Sequence, residues 1–315
     1  MSVSNRLFLV TGGLGFIGKH FVARCLELGN YVINVDVCNH AADAIAKKEF
    51  EQHPNYRFIQ GDIATLPSLM ECDALVNFAA ESHVDESIAD SAQFCHTNIL
   101  GVQRLLELVR KKASHDRPLF IQISTDEVYG DILNGRHKET DPLNPSNPYA
   151  ATKAAADMLV LGWHRTYKVE YNIVRLTNNY GLHQYPEKLI PKSCSRMLRG
   201  LPALMHGDGS YIRSWLHVSD AVEAILTVYE RGERNQIYNV CGTTELSNRE
   251  VIQKIARLIG VPEEKAFVST PNRVGQDHRY SLDDTKIRSL GWRPIKDFDT
   301  ELAKIVQHFD FRRFI

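Results

Sequence analysis

A short apolar run followed at once by spaced glycines constrains the fold of this chain more than any other feature. Residues 7–10 form a predicted buried strand, Gly13, Gly15 and Gly18 come next, and apolar residues then recur at helical spacing up to Gly29. Glycines with this spacing let the backbone approach a pyrophosphate held at the N-terminus of a helix. A plain tight turn can show the same glycines, so the interpretation depends on the residues after Gly29.

An acidic residue at the end of the next apolar run supports the dinucleotide interpretation. Residues 31–35 predict a second strand, and Asp36 comes directly after it. A carboxylate at this point of a strand–helix–strand unit can bind the ribose hydroxyls of an adenosine. Because it would also repel a 2′-phosphate and no arginine follows it closely, we expect NAD rather than NADP.

The alternation of apolar runs and helical patterns continues to about residue 181. It predicts an α/β protein with a doubly wound parallel sheet. Beyond that point prolines and glycines mix with polar residues, which indicates a smaller α/β substrate-binding C-terminal domain. We place the boundary between residues 177 and 178, which gives domains of 1–177 and 178–315, and we expect some later segments to return to the first domain.

Composition and charge exclude several classes of function. The chain has 37 basic and 38 acidic residues, which argues against nucleic acid or an anionic membrane surface as a partner. Its six cysteines show no Cys-x-x-Cys spacing and no nearby histidine cluster, so we expect neither a metal site nor disulfides. We see no signal peptide and no membrane span, and therefore expect a soluble, cytoplasmic protein.

Hydroxyl and carboxyl groups follow a very apolar run in the middle of the chain. The run that starts at Ile121 ends in Ser124 and Thr125, and Asp126 and Glu127 come next. In an open α/β sheet the carboxyl ends of the strands are where ligands bind. We therefore expect Thr125, Asp126 and Glu127 to point into a reaction site.

A tyrosine and a lysine stand four residues apart at the start of a later helical pattern. Tyr149 and Lys153 would share one helix face. Lowering a tyrosine pKa from ~10 to about 7 needs roughly 4 kcal/mol, which a lysine ammonium and a nicotinamide cation could jointly supply. Tyr149 would then act as a base for a substrate hydroxyl. Such a pair arises often by chance, and only its place after the glycines and the carboxylates makes it informative.

Together these motifs resemble the extended short-chain dehydrogenases, and among them the nucleoside-diphosphate-glucose 4,6-dehydratases. The likeness covers nearly the whole chain and extends to residues 79–85, 178–181, 186–191 and 206–209. It implies a Rossmann domain, bound NAD, a nucleoside-diphosphate sugar such as dTDP-glucose or UDP-glucose as substrate, and a homodimer formed through the helices around 99–109 and 149–161.

The resemblance also implies a role for each catalytic residue. Tyr149 would take the C4 hydroxyl proton of the sugar while hydride leaves C4, with Thr125 orienting the C4 oxygen. Lys153 would hold the nicotinamide ribose and depress the pKa of Tyr149. Glu127 would remove the C5 proton while Asp126, protonated, gives a proton to the departing C6 hydroxyl. Water leaves in this step; the hydride then returns to C6 and a proton to C5, which gives a 4-keto-6-deoxy sugar.

The remaining assignments are binding residues. Those expected to contact the cofactor are Gly12, Gly15, Phe16, Ile17, Gly18, Asp36, Asp62, Ile63, Ala79, Ala80, Tyr149 and Lys153. Those expected to contact the substrate are Ser82, His83, Thr125, Asn178, Lys188, Leu189, Arg213, Asn248 and Arg273. For three of them a structural role is an open alternative: Asp62 can begin a turn, His83 can bond its neighbours in a loop, and Arg213 can be a solvated surface group.

Two rival functions and the nature of the substrate stay open. A nucleotide-sugar 4-epimerase would share the fold, NAD and the Tyr149–Lys153 pair, but would not need Asp126 and Glu127. A non-catalytic NAD-sensing protein would need none of these groups. Because Val274 and Ser214 depart from the residues usual in bacterial dTDP-glucose enzymes, thymine or uracil, and glucose or an N-acetylated sugar, are not decided.

Overall fold

The computed structural model describes residues 4–310, which form strands and helices. The strands are β1 (Leu7–Thr11), β2 (Tyr31–Asp36), β3 (Tyr56–Gln60), β4 (Ala74–Asn77), β5 (Leu119–Thr125), β6 (Tyr171–Leu176), β7 (Asn178–Tyr180), β8 (Ala203–His206), β9 (Ile212–His217), β10 (Gln236–Val240), β11 (Thr244–Ser247) and β12 (Phe267–Thr270). The α-helices are α1 (Phe16–Glu27), α2 (Ala44–Phe50), α3 (Val84–Ala89), α4 (Ala92–Phe94), α5 (Val102–Arg110), α6 (Pro148–Tyr167), α7 (Leu189–Met197), α8 (Val218–Arg231), α9 (Asn248–Ile259), α10 (Thr285–Ser289) and α11 (Phe298–Gln307).

Seven parallel strands form the central sheet in the order β10-β6-β5-β4-β1-β2-β3. From β1 the chain adds strands in one direction and then, starting at β4, in the other. The order therefore reverses between β1 and β4, which is where an open α/β sheet leaves a ligand crevice. The predicted doubly wound parallel sheet is confirmed.

Helices cover both faces of this sheet because its strands are apolar on both sides. One core contains side chains of α1 and α8, and the opposite core contains side chains of α5 and α6. Strands that are buried on both faces read as continuous apolar runs, and this is why β1 and β5 were visible in the sequence. Because β1, β4 and β5 are parallel, their carboxyl ends lie at the same edge of the sheet.

A second, smaller region follows β6. It contains the sheets β11-β9-β7 and β12-β8, with a separate apolar core that includes side chains of α7, α9 and α11. Helix α8 and strand β10 also come after residue 177, yet α8 packs in a core of the large sheet and β10 pairs with β6. The division into 1–177 and 178–315 stays a prediction, and its ends at 1–3 and 311–315 lie outside the described residues.

The helix predicted from residue 98 to 110 is interrupted by a π-helical segment, Cys95–Gly101. Within this segment the side-chain amide of Asn98 bonds both the N–H and the carbonyl of Glu81, at 2.9 and 3.0 Å, and donates to Thr152 Oγ1 at 2.9 Å. Such segments occur often at functional sites. Here it ties the loop after β4 to α6.

Residues 4–310 contain no helix that would suit a membrane span, no side-chain cluster that would suit a metal ion and no disulfide. None of the helices there is long and apolar enough to cross a membrane. No group of three or more His, Cys, Asp or Glu side chains in that part of the chain is arranged to hold a metal ion. All six cysteines are free thiols.

Candidate active site

A cavity of about 340 Å³ lies where the strand order of the central sheet reverses. It is lined at one end by the glycine turn after β1 and at the other by the residues that follow β5 and β6. The structure brings every predicted cofactor and catalytic residue into its lining: Gly12, Gly15, Phe16, Ile17, Gly18, Asp36, Asp62, Ile63, Ala79, Ala80, Thr125, Asp126, Glu127, Tyr149 and Lys153.

The glycine turn fits a dinucleotide at the first end of the cavity. Gly12 has a φ of +70°, and a Cβ atom there would lie 2.6 Å from the nitrogen of Ala79, while a Cβ atom at Gly18 would overlap the carbonyl oxygen of Gly12. Both positions therefore require glycine. Helix α1 begins with no side-chain cap at Gly15 and no acidic residue in its first turn. A pyrophosphate there could accept hydrogen bonds from the first N–H groups of the helix, which have no partner within the helix, and would interact favourably with the helix dipole.

Two carboxylates, those of Asp36 and Asp62, line the part of the cavity where we expect the adenosine of the cofactor. Main-chain N–H groups hold both side chains in place. Asp36 accepts the N–H of Leu14 at 3.0 Å and that of Cys38 at 2.8 Å; burial raises its pKa, and these hydrogen bonds oppose the rise. Asp62 accepts a main-chain N–H two residues later at 2.8 Å and bonds His96 at 2.9 Å. Asp62 therefore begins a turn and lines the cavity as well, so its two alternatives are compatible.

Strand β5 ends in a 3₁₀ turn, Asp126–Tyr129, that places two carboxyl groups at the second end of the cavity. The Thr125 hydroxyl donates to Asp126 Oδ1 at 3.1 Å and accepts the N–H of Glu127 at 3.3 Å, and Asn147 donates to Glu127 Oε2 at 3.3 Å. Asp126 Oδ2 is buried and has no hydrogen-bond partner within the described residues. A buried polar atom of this kind is suited to a ligand.

Burial keeps a proton on one of the two carboxyl groups. It raises the pKa of Asp126 to about 8, with a further contribution from the charge of Glu127. Burial also raises the pKa of Glu127 above its ordinary value, although the charge of Arg213, the hydrogen bond from Asn147 and the charges of Lys188 and Arg273 oppose the rise. Asp126 is therefore mainly protonated at neutral pH, while three cations favour the ionised form of Glu127. Neighbouring carboxyl groups of which one keeps its proton can act as an acid and a base.

Tyr149 and Lys153 lie one turn apart on α6, and both are buried. Lys153 Nζ donates to the carbonyl of Ile123 at 2.7 Å, and burial lowers its pKa to about 8. Burial and the charges of the two carboxyl groups raise the pKa of Tyr149, whereas a hydrogen bond with Thr125 lowers it. The pKa of Tyr149 is therefore raised in the protein's own surroundings, because the phenol is buried beside two acidic groups. The depressing effect expected of Lys153 together with a nicotinamide cation stays a prediction.

A buried ion-pair network lies next to this site, between α6 and the strands β5 and β6. Asp157, one turn after Lys153, accepts hydrogen bonds from Arg175 at 2.9 Å and from Ser124 at 3.1 Å, and Arg175 also donates to the hydroxyl of Tyr129 at 2.6 Å. The network joins α6 to β5 and β6. Removing one partner of such a buried pair typically costs about 3 to 5 kcal/mol, so we expect substitutions in this network to destabilise the fold next to the predicted catalytic residues.

Comparison with known proteins agrees with this arrangement. The family model described as GDP-mannose 4,6 dehydratase matches residues 9–305. The chain belongs to this family. The low-salt glycan biosynthesis protein Agl12 of Haloferax volcanii is 42% identical over 96% of this chain and 97% of its own. A dTDP-glucose 4,6-dehydratase of Streptomyces niveus is 41% identical over 96% and 92%. The crystal structure of DesIV, a dTDP-glucose 4,6-dehydratase of Streptomyces venezuelae with NAD bound, has a TM-score of 0.91 and 39% identity, and covers 96% of both chains.

In this member of the 4,6-dehydratase family, part of the predicted substrate set lines the cavity. Ser82, Asn178 and Lys188 do so, together with Thr125. Lys188 donates to the carbonyl of Ser82 at 2.8 Å, so the segment before α7 is tied to the loop after β4. Asn178 Oδ1 is buried and has no partner within residues 4–310, which leaves it available to a ligand.

The other predicted substrate residues are not in the cavity lining: His83, Leu189, Arg213, Asn248 and Arg273. Leu189 and Asn248 begin α7 and α9, and His83 caps α3 by accepting the N–H of Glu86 at 3.3 Å, which is the structural role left open for it. Arg213 is buried, not solvated: it donates to the carbonyls of Ile212 and Asp277 at 2.7 and 2.9 Å. Arg273 forms a two-point ion pair with Asp85.

Several residues of the lining were missed by the sequence argument. They come mainly from the loop after β4 and from the segment between β7 and α7, and include Glu81, Thr97, Asn179, Gln184, Tyr185 and Glu187. Two signals were available: Asn179 is adjacent to the predicted Asn178, and Glu187 is adjacent to Lys188. Gln184 and Tyr185 carried no signal, because they reach the cofactor end only through the fold.

Proposed function

We propose that this chain is an NAD-dependent nucleoside-diphosphate-glucose 4,6-dehydratase, a hydro-lyase that forms a 4-keto-6-deoxy sugar nucleotide and water. The observation that carries the proposal is a pair of carboxyl groups, the buried Asp126 and the half-buried Glu127, in one cavity with Tyr149, Lys153 and the glycine turn. Relatives about 40% identical over nearly their full length are dTDP-glucose 4,6-dehydratases, and this supports the same reaction.

The first step uses the groups on α6 and at the end of β5. NAD, when bound, supplies the hydride acceptor for C4 of the sugar and the hydride donor for C6. Tyr149 accepts the proton of the C4 hydroxyl, and Thr125, which hydrogen-bonds Tyr149, orients the C4 oxygen. The positive charges of Lys153 and of the cofactor ring would oppose the burial that raises the pKa of Tyr149. Lys153 also holds the nicotinamide ribose in this proposal.

The second step uses the carboxyl pair. Once C4 is a ketone, the C5 proton is acidic, and Glu127 removes it while Asp126 protonates the departing C6 hydroxyl. Asp126 holds the proton that this role needs, since its pKa is about 8. An epimerase has no use for this acid and base, because it breaks no bond at C5 or C6, and this makes the epimerase the weaker candidate.

The diphosphate of the substrate is proposed to bind to basic side chains near Glu127. Burial raises the pKa of Glu127, and the charges of three cations, Arg213, Lys188 and Arg273, oppose the rise. All three therefore lie close enough to the proposed substrate site to contribute positive charge there. This arrangement suits a diphosphate, for which an arginine fork is the best protein partner. We propose that Arg213 and Arg273 exchange part of their present contacts for the substrate, and that Ser82, His83, Asn178, Leu189 and Asn248 complete the site.

We also propose a cytoplasmic homodimer. Its interface would be formed by the helical region around 99–109 and by α6, where Leu100 and Met158 are 55% and 48% exposed. Large apolar side chains with this exposure are suited to an interface when they lie on neighbouring helices. The 1–177 part would bind NAD and the 178–315 part the nucleotide.

Parallel incubations with dTDP-glucose, UDP-glucose and UDP-N-acetylglucosamine test the proposed reaction. We expect dTDP-glucose or UDP-glucose to give a product that has lost one water, measured by mass spectrometry, because the site has both an acid and a base for C5 and C6. The variant Tyr149→Phe is the matched negative control. A product of unchanged mass with inverted C4 would favour the epimerase, and water loss from the N-acetylated sugar alone would reassign the substrate.

Nucleotide released from the purified protein is expected to be mainly NAD. The reason is the Asp36 carboxylate, which the main chain holds at the end of β2, where it would face a 2′-phosphate. Acid release followed by chromatography against NAD and NADP standards measures the ratio. A released fraction dominated by NADP would contradict the role given to Asp36.

A further inference from the structure

Lys19, on α1, is a buried lysine for which the proposed reaction has no use. Only 6% of its surface is exposed, and its Nζ atom lies 2.7 Å from Asp43 Oδ2 and 2.7 Å from the carbonyl oxygen of His183. A buried ion pair of this kind costs desolvation free energy and is weak as a source of net stability. Lys19 comes directly after the last glycine of the turn, next to the proposed cofactor site.

The contacts of Lys19 join three separate segments of the chain. Asp43 accepts the N–H groups of Ile45 and Ala46 at 3.1 and 3.0 Å and so begins α2, and its own N–H donates to the carbonyl of Leu14 in the glycine turn at 2.9 Å. His183 belongs to the segment between β7 and α7. Lys19 therefore connects the glycine turn and the start of α2 to a segment more than a hundred residues away.

The neighbouring side chain strengthens the same connection. His20 Nε2 lies 3.3 Å from the carbonyl oxygen of Leu182, and burial lowers the pKa of His20 to about 4. The ring is neutral at pH 7 and donates its N–H to that carbonyl. Two consecutive side chains of α1 thus hold two consecutive carbonyl groups. His183 has a φ of +62°, in the left-handed region that a non-glycine residue adopts only when its surroundings hold it there.

The segment held in this way forms part of the rim of the cofactor cavity. Gln184 and Tyr185 line the same cavity as Asp36 and Asn39. Across the rim, the ring of Tyr185 meets the ring of His40 edge to face, with centroids 5.4 Å apart. Through this contact the segments 36–43 and 182–185 meet beside the cavity, and Lys19 hydrogen-bonds one residue of the first segment and one of the second.

We propose that Lys19 is a positioning residue for cofactor retention. Together with Asp43 and the carbonyl of His183 it holds segment 182–185 against segment 36–43, so that a bound dinucleotide leaves only when this link opens. Retention matters here because the hydride taken from C4 must return to the same sugar at C6. The inference rests on the proposed cofactor, and its test measures release of NAD, not turnover.

The most direct variant carries Lys19→Met together with Asp43→Asn. It removes both charges at similar volume, leaves no unpaired buried charge, and keeps a good N-cap for α2, since asparagine and aspartate are equivalent there. Lys48→Met is the matched control, because Lys48 is an exposed lysine of α2. Each protein is loaded with isotopically labelled NAD, and the rate of label loss into excess unlabelled NAD is measured. The midpoint of thermal unfolding at saturating NAD checks the fold.

The double variant is expected to release NAD about tenfold faster or more, which corresponds to roughly 1.4 kcal/mol of lost retention. Its turnover at saturating NAD should change far less than its release rate. Release at the wild-type rate, or equal acceleration by Lys48→Met, would overturn the role of Lys19. If the double variant does not fold, Lys19→Met alone decides in the same way, because Asp43 then keeps the N–H groups of Ile45 and Ala46 as partners. Wild-type protein that binds no NAD would overturn this inference and the proposed function together.

Discussion

Replacing Tyr149 with phenylalanine is expected to lower turnover by about 10² to 10⁴, or roughly 3 to 5 kcal/mol in activation free energy. The hydroxyl group of Tyr149 lines the cavity and hydrogen-bonds Thr125, at the position from which the C4 hydroxyl proton would be taken. The change removes one oxygen atom from a buried ring that packs at the start of α6. We therefore expect the fold and NAD binding to survive.

The measurement is the rate of 4-keto sugar formation at saturating substrate, with the NAD content of the variant determined in parallel. Tyr167→Phe is a suitable control, because Tyr167 lies at the far end of the same helix and is 39% exposed. It should keep wild-type turnover. Near-normal turnover by Tyr149→Phe, with NAD still bound, would mean that another group takes the C4 proton.

Asp126→Asn combined with Glu127→Gln is expected to separate oxidation from dehydration. Both carboxyl groups act after C4 has become a ketone, so hydride transfer should continue while water loss falls by about 10² to 10⁴. Asp126 is already mainly protonated at pH 7, since its pKa is about 8, and asparagine therefore preserves its charge state. We expect the stability of the protein to change little at that position.

Trapping with borodeuteride distinguishes the two steps. Wild-type reactions should give a deuterated 6-deoxy sugar, whereas the double variant should give a sugar that carries deuterium at C4 and keeps its C6 hydroxyl. In heavy water the variant should also incorporate little deuterium at C5, because the base for that proton is missing. The matched control is Glu49→Gln with Asp116→Asn, which neutralises two exposed carboxylates. Dehydration by the Asp126 and Glu127 variant at a rate close to wild type would make these carboxyl groups structural and would mean that other groups supply the acid and the base.

The fold and the cofactor end of the site were predictable because their signals are local. Gly12 is required by its φ of +70° and Gly18 by its contact with the carbonyl oxygen of Gly12 in the same turn, and β5 is buried along its whole length because both its faces are covered. Such features are fixed by a residue and its near neighbours in the chain. The doubly wound sheet followed from their alternation, and the structure confirms it.

Tertiary structure decided which polar groups reach the cavity and in what protonation state. The pKa of Tyr149 is set by burial and by carboxyl groups from another element, so spacing to Lys153 could not give its direction. Arg213 and Arg273 carry charges that act on Glu127, although neither lines the cavity. Electrostatic effects depend on distance and burial in space, and neither is encoded in a residue's immediate neighbours.

The sequence by itself determined a parallel α/β sheet, a glycine turn after its first strand, and two carboxyl groups and a tyrosine at the end of β5 and the start of α6. Only the tertiary structure showed that β10 completes the sheet from beyond residue 177 and that Lys19 binds the carbonyl of His183. Local patterns arise from backbone conformation and periodic burial, which a short segment specifies. Contacts between distant segments depend on how whole layers pack, and that packing is a property of the complete fold.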